Sequence, residues 1–406
     1  MEQFGISKLD LKRRNRMQIL KQLQQHGPTS RIDLSSSLEL TRAAVTIITN
    51  EMIEQGVLYE KGEAGIAGQK ATRGRKKILI DINKNFRFAF GIAIDGLKIH
   101  IGLSNISGEV LEKRQLEIHP NDINEVTLHH IFVNMKEMMA YNCLEENQIL
   151  GIGVCLNNRS MRIMKVTGGS GAPNYSELKQ EFEKNFQIPV TFDSMISGIA
   201  RAEVDFMCST VSSSNLIVIR FSDNIDATIM VRNEIYRGYH NQAMNIAHMI
   251  VKPDGERCSC GHKGCALNEF SDDAVYVRIV NAFSKENTPL LYDYVEGNVN
   301  SLRVAGIFDY ICLNDPGVME IFKDCVKSFA IFINNIASLA DPEKIVFFGT
   351  QFEREQFMQL LKEISAEYLG EEILRRVTSC RLKQNEIFLS GCALAVRQFF
   401  IQKGGF

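Results

Sequence analysis

His248, followed by Cys258-Ser259-Cys260-Gly261-His262-Lys263-Gly264-Cys265, is the stretch on which the reading of this chain turns. Three thiols fall within eight positions, with glycines at the bends and a histidine upstream. A structural Zn²⁺ takes four nitrogen or sulfur ligands in a tetrahedron, so His248, Cys258, Cys260 and Cys265 are the expected set. Three unrelated buried cysteines are the plainer alternative, since a free thiol packs as a small hydrophobe. Gly261 and Gly264 at the bends favour the metal. His262 is the substitute for His248, but it lies between those two tight bends. A site filled by four protein ligands leaves no position for water and reads as a clamp, not a hydrolytic centre.

Outward from this loop, the 406 residues suffice for two or three domains, and 45% apolar with 23% charged is an ordinary globular balance. No apolar run is long enough for a bilayer, and Met1-Glu2-Gln3-Phe4 lacks a signal-peptide core. Ten cysteines in such a chain do not make a disulfide scaffold, and a reducing cytoplasm is the expected location. The net charge of −2 is uneven: residues 1–85 hold 15 Lys/Arg and 9 Asp/Glu, a net of +6, which leaves −8 for the remainder. A basic head on an acidic body points to a polyanion met by the head alone.

Within the head, a helix is expected from about Lys8 to Gln25, with Met17, Leu20 and Leu23 inward and Gly27-Pro28 stopping it. Ser30, with Asp33 three positions on, caps a short helix burying Leu34 and Leu38. Thr41 caps a third helix, Arg42 to about Gln55, with Val45, Ile48 and Met52 inward and Arg42, Ala43, Thr46, Thr49 and Asn50 outward. This is the helix-turn-helix layout, whose second helix enters the major groove. Gly56–Glu60 and Ile78–Ile82 read as strands around a loop from Gly62 to Gly68, which makes the winged variant. Lys70–Lys77 contains Arg73-Gly74-Arg75-Lys76, suited to a narrow minor groove and its phosphates. A solvated linker is the alternative for such a run. The expected DNA-contacting set is Ser30, Arg31, Thr41, Arg42, Ala43, Thr46, Asn50, Arg73, Arg75 and Lys76.

From Phe86 the pattern changes to short strands with tight turns, and a similar opening recurs at Leu216–Phe221 and Ala227–Val231. Buried strands are expected at Ile149–Leu156, Val190–Phe192 and Ile345–Phe348. His129-His130 reads as helix surface, and Phe399-Phe400 as the end of a closing core helix. Two meanders, each followed by α/β material, suggest a duplicated two-lobed body with a cleft.

The zinc segment, the preceding Ala243-Met244-Asn245-Ile246-Ala247-His248 and the winged helix together resemble the ROK family of sugar kinases and sugar-responsive repressors. The resemblance spans nearly the whole chain. It implies an α/β fold class: an N-terminal winged helix-turn-helix plus a two-lobed actin/hexokinase-like body with a structural zinc loop. The expected domains are 1–85, 86–205 and 206–406, with the last helix free to return to the first lobe.

The family's chemistry is missing at matched positions. Its first phosphate turn, approximately Asp-x-Gly-Gly-Thr-Lys, falls on Ala93-Ile94-Asp95-Gly96-Leu97-Lys98, which loses the first Asp, one glycine and the hydroxyl. Its glycine-rich second turn falls on Ser222-Asp223-Asn224-Ile225-Asp226-Ala227-Thr228, with no glycine left. Its catalytic Asp aligns with Met195, which cannot accept a proton at neutral pH; a one-turn shift would put Asp193 there. Its sugar-binding glutamates fall on Asn245 and Leu267. Hence no ATP and no enzymatic activity are expected, and Ser194, Asn245 and His248 remain as candidate effector contacts. The resulting reading is a transcriptional regulator, a repressor of carbohydrate-related genes. It binds a double-stranded operator as a homodimer or homotetramer, with a small-molecule sugar as possible effector and no membrane partner. The alternatives are an ATP-dependent sugar kinase and a ligand-independent, zinc-stabilised DNA-binding protein.

Overall fold

A computed structural model describes residues 8–63, 77–117, 125–164, 174–207, 215–222, 224–239 and 246–406. Arg73, Arg75, Lys76, Asn245 and most of the Gly62–Gly68 loop lie outside them. The chain divides into two units, residues 1–212 with 385–406, and residues 213–384.

The first unit opens with α1 (Lys8–His26), β1 (Thr29–Ser30), α2 (Arg31–Ser37), α3 (Arg42–Glu54), β2 (Leu58–Glu63) and β3 (Ile78–Ile82). Gly27 ends α1 in the left-handed region, at φ 70°. Ser30 caps α2 by accepting from the Asp33 amide, and Thr41 caps α3 by accepting from that of Ala44. The wing strands pair β1-β3-β2, all antiparallel. Local pattern alone did not reveal β1, a two-residue strand held by pairing with β3. The first wing strand starts at Leu58, because Gly56 takes φ 76° as the chain leaves α3.

Three side chains sit otherwise than their helical positions suggest. Met17 and Leu38 are only half-buried, and Thr49, expected outward, is fully buried. Arg31 covers Thr49, donating from Nε to its hydroxyl at 3.0 Å. Arg16 of α1 is also fully buried. Its Nε donates to the Gly404 carbonyl at 2.6 Å and its Nη2 to Gln55 at 2.7 Å, while its guanidinium lies 3.9 Å from the Phe406 ring centre. Nε and Nη2 thus find acceptors and the ring faces the cation, while Nη1 is buried without a hydrogen-bond partner among the described residues. Phe86 and Phe400, 6.1 Å apart, extend this junction between head and body.

The body part of this unit carries β4 (Phe88–Asp95), β5 (Lys98–Asn105), β6 (Val110–Glu117), α4 (Glu125–Tyr141), β7 (Ile149–Leu156), α5 (Asn158–Ile163), α6 (Ser176–Asn185), β8 (Val190–Ser194) and α7 (Met195–Ala202). Its sheet runs β6-β5-β4-β7-β8, antiparallel through the meander and parallel from β4 to β8. The second unit carries β9 (Leu216–Phe221), β10 (Ile225–Val231), β11 (Glu234–Tyr236), α8 (Ala266–Phe270), α9 (Asp272–Ala282), α10 (Pro289–Tyr294), α11 (Pro316–Ala340), β12 (Lys344–Phe348), α12 (Glu355–Tyr368), α13 (Glu371–Arg376) and β13 (Val377–Ser379). Its sheet runs β11-β10-β9-β12-β13. Third, second, first, fourth, fifth is the order in both sheets, so the fold is duplicated as the two meanders suggest. Arg232 and Asn233, at φ 53° and 61°, close the second meander's tight hairpin. Phe221, Phe270, Phe329, Phe332, Phe347 and Phe352 form the aromatic centre of this unit.

After the second unit, α14 (Leu389–Val396) returns to the first and lies on β4 and β7. The approach is close enough that glycine is required on both sides. A Cβ on Gly391 would come within 2.8 Å of the Ile92 nitrogen and 2.9 Å of the Gly91 Cα. The π-helical turn Arg397–Ile401 then leads to Gly404 and the Arg16 junction. Gly391→Ala is expected to cost about 1–3 kcal/mol through overpacking, read as a lower thermal or urea midpoint. An unchanged midpoint would show that the helix is not seated on the sheet backbone.

Candidate functional site

Three places carry the residues singled out above. In the Cys/His loop, Cys258 N–H donates to the His262 carbonyl at 2.7 Å, Gly261 N–H to Cys258 at 2.9 Å and Val251 N–H to Gly264 at 2.8 Å. Gly261 and Gly264 take φ 94° and 67°, a region that side chains resist. Gly264 also lies against the Lys252 carbonyl, where no Cβ fits. This folding brings His248 Nδ1 to 3.4 Å from Cys258 Sγ, and Cys260 Sγ to 3.6 Å from Cys265 Sγ. The four ligand atoms all lie within 4.8 Å of one another and could hold a metal ion. His262 Nδ1 reaches only Cys260 Sγ, at 3.4 Å, from an exposed position.

Burial opposes ionisation of Cys258, but hydrogen bonds from the Cys260 amide and thiol and from His248 bring its pKa down to about 7. Burial and the neighbouring thiols push Cys265 up to about 12. Such a set surrenders its later protons readily only to a cation. A charge network seats the loop: Glu269, 1% exposed, accepts from Arg278 at 2.6 Å, and Asp324 pairs with Lys252 at 2.9 Å and Arg278 at 3.2 Å. Sequence reading missed this network, since its members come from the loop, α8, α9 and α11.

The second place is the pair of turns that the sequence resemblance set against phosphate-binding turns. Asp95 accepts from Asn157 Nδ2 at 2.7 Å, and the Gly96 amide donates to Ser160 Oγ at 3.0 Å. Ser160 Oγ in turn donates to the Ile94 carbonyl at 2.8 Å. A phosphate there would meet a carboxylate and an amide already in use. At the second turn, Ser222 N–H donates to the Asn224 carbonyl at 3.0 Å and Asn224 Nδ2 to Asp226 at 2.9 Å, while Arg220 lies 3.4 Å from Asp226. No glycine cradle is formed among the described residues of either turn. Met195 is 1% exposed, with Ser390 Oγ at 3.9 Å from its sulfur, so it is core. Asp193 Oδ1 accepts from the Ser194 amide at 2.8 Å. Ser194 caps α7 and its hydroxyl donates to Ser197 at 2.8 Å.

The third place is the outward face of α3. Arg42, Ala43, Thr46 and Asn50 are exposed there, and Thr41 and Ser30 serve as caps. Arg31 is not an open cation: besides Thr49 it donates to Asn50 Oδ1 at 2.9 Å and pairs with Glu60 at 3.0 Å. Ile47, which sequence reading left out, is 61% exposed on this face. An isoleucine among inward Val45 and Ile48 reads as core, and only the helical phase separates it from them. No described helix is long and apolar enough to cross a membrane.

Residues 89–395 match the ROK family model, and residues 12–59 match a model for winged helix-turn-helix DNA-binding domains. The chain is 27% identical over 363 residues to a putative xylose repressor of Caldicellulosiruptor sp. strain Rt8B.4, covering 87% of this chain and 88% of the relative. It is 27% identical over 368 residues to the DNA-binding transcriptional dual regulator NagC of Escherichia coli K12, covering 88% and 85%. In fold it resembles the crystal structure of a ROK family transcriptional regulator, a homolog of the E. coli MLC protein, with TM-score 0.73, 22% identity and 97% of each chain covered.

Metal removal gives a direct test of the Cys/His loop. A chelator at neutral pH should lower the thermal midpoint, by the equivalent of about 2.7 kcal/mol for a site held at a hundredfold over its Kd. Cys265→Ser should lower it likewise, and chelation of that variant should add little. Full additivity would show that the cysteine acts without a metal.

Proposed function

The chain belongs to the ROK family, and from that premise we propose that it represses carbohydrate genes in response to a sugar, with zinc as its structural metal. It is a DNA-binding transcriptional regulator and not a kinase. The observation that carries this reading is one polypeptide holding both a capped, outward-facing helix α3 and a body whose first phosphate-matched turn is filled by its own Asn157 and Ser160.

Zinc is supported by the donor set and its spacing. Bonds of about 2.3 Å to sulfur put tetrahedral S···S edges near 3.8 Å, against 3.6 Å for Cys260–Cys265. His248, Cys258, Cys260 and Cys265 would hold the ion, which supplies rigidity and no reacting water. With Nδ1 turned toward the thiols, His248 keeps Nε2–H for a ligand hydroxyl, and Ser194 and Asn245 are the other candidate effector contacts. The relatives named for xylose and the ROK body argue for a small sugar. Such a ligand acts by binding two arrangements of the protein unequally.

On DNA, Arg42, Ala43, Thr46 and Asn50 form the major-groove face, with Ser30 and Thr41 at the helix starts near the backbone. Arg73, Arg75 and Lys76 serve the minor groove and phosphates. A homodimer or homotetramer in the cytoplasm, bound to a two-fold operator, fits these roles.

Selection of genomic fragments by the purified protein, with and without xylose and amino sugars, tests the whole reading. Retained fragments released by one sugar are expected, and failure to retain any duplex would overturn it. On a retained fragment, Arg42→Ala should cost about 1–3 kcal/mol and relax sequence preference. Neutralising Arg73 and Arg75 should weaken all sequences alike and reduce the salt slope by about 2.

A further inference from the structure

The outward face of α3 is unusual in what it offers to a base edge. Ile47 stands 61% exposed one turn beyond the exposed Ala43, the spacing at which helical side chains meet. Thr46 lies beside them, and its hydroxyl donates to the Arg42 carbonyl at 2.8 Å. With that hydrogen bonded to its own helix, Thr46 turns no donor outward. The centre of the face is therefore a patch of methyl groups.

Asn50, at the end of this patch, is constrained as well. An asparagine identifies adenine through two simultaneous bonds, accepting from N6 and donating to N7. Here Oδ1 already accepts from Arg31 at 2.9 Å, and Arg31 is held by Glu60 and Thr49 at 3.0 Å each. One lone pair of Oδ1 is thus taken, so any two-point adenine contact by Asn50 has to share that oxygen with Arg31. The mark of an A·T pair that the rest of this face matches is the thymine C5 methyl, which apolar side chains contact. The net +6 of residues 1–85 supplies attraction to the duplex but distinguishes no base.

We propose that Ile47, flanked by the methyl groups of Ala43 and Thr46, reads thymine methyls in the major groove and so sets operator specificity. This rests on the DNA-binding reading above. Arg31 acts as a positioning residue, fixing which end of Asn50 faces the groove.

The test uses the full chain and a duplex selected by it from a random-sequence pool. Each thymine is replaced in turn by deoxyuracil, which removes the methyl and keeps the base pairing. Loss of one buried methyl contact should weaken binding about fourfold at one or more positions of a half-site. In Ile47→Ala, whose thermal midpoint should match that of the parent at so exposed a site, the same replacement should cost nothing. Absence of any uracil penalty, or an equal penalty in both proteins, would overturn the proposal while leaving DNA binding intact. If the pool yields no retained duplex at all, the DNA-binding reading falls and this inference with it.

Discussion

The seat of α14 on the first sheet is the contact from which the rest of the architecture follows. Helix backbone meets strand backbone across Gly91, Gly153 and Gly391, where no Cβ fits. That approach requires the chain to come back from the second unit before it ends its course, because α14 follows residue 384 in sequence and belongs to the first unit in space. It also aims residues 397–406 at the DNA-binding head. Arg16 then receives the Gly404 carbonyl and the Phe406 ring from that segment. A helix packed at ordinary distance would deliver these groups elsewhere, and a buried guanidinium without acceptors would not be tolerated.

Loss of nucleotide chemistry in this chain goes beyond erased motifs. Asp95 in place of a glycine would already repel a triphosphate. The structure adds that Asn157 and Ser160, at the start of α5, occupy the hydrogen-bonding groups of that turn. The second turn is stabilised in the same way by Asn224 and Asp226. Both polar clusters hold their turns in place.

Much of this was legible in the sequence, for reasons of range. The cysteine spacing, the Ser30 and Thr41 caps, the Gly27 stop and the two meanders are local signals, and each is found where the pattern puts it. Misplaced residues are those decided by contacts far along the chain. Thr49 is buried because Arg31 reaches over it from another helix; Arg16, for which sequence reading held no expectation, is buried where residues 404–406 arrive from the other end. Ile47 was passed over because exposure of one isoleucine depends on helical phase within an apolar run. The loop's charge network of Lys252, Glu269, Arg278 and Asp324 joins four separate segments and leaves no pattern in any one of them.

The Arg16 junction bears on how such regulators exchange specificities. Residues 1–85 are not a freely detachable reader, since one buried cation there shares its contacts between Gln55 of the same segment and a carbonyl and a ring encoded more than three hundred positions later. A chimera that grafts this head onto a relative's body would take from the guanidinium the Gly404 carbonyl and the Phe406 ring and leave it Gln55. Unless the closing segment travels with it, the graft should fail as an unstable protein before its operator preference can be seen.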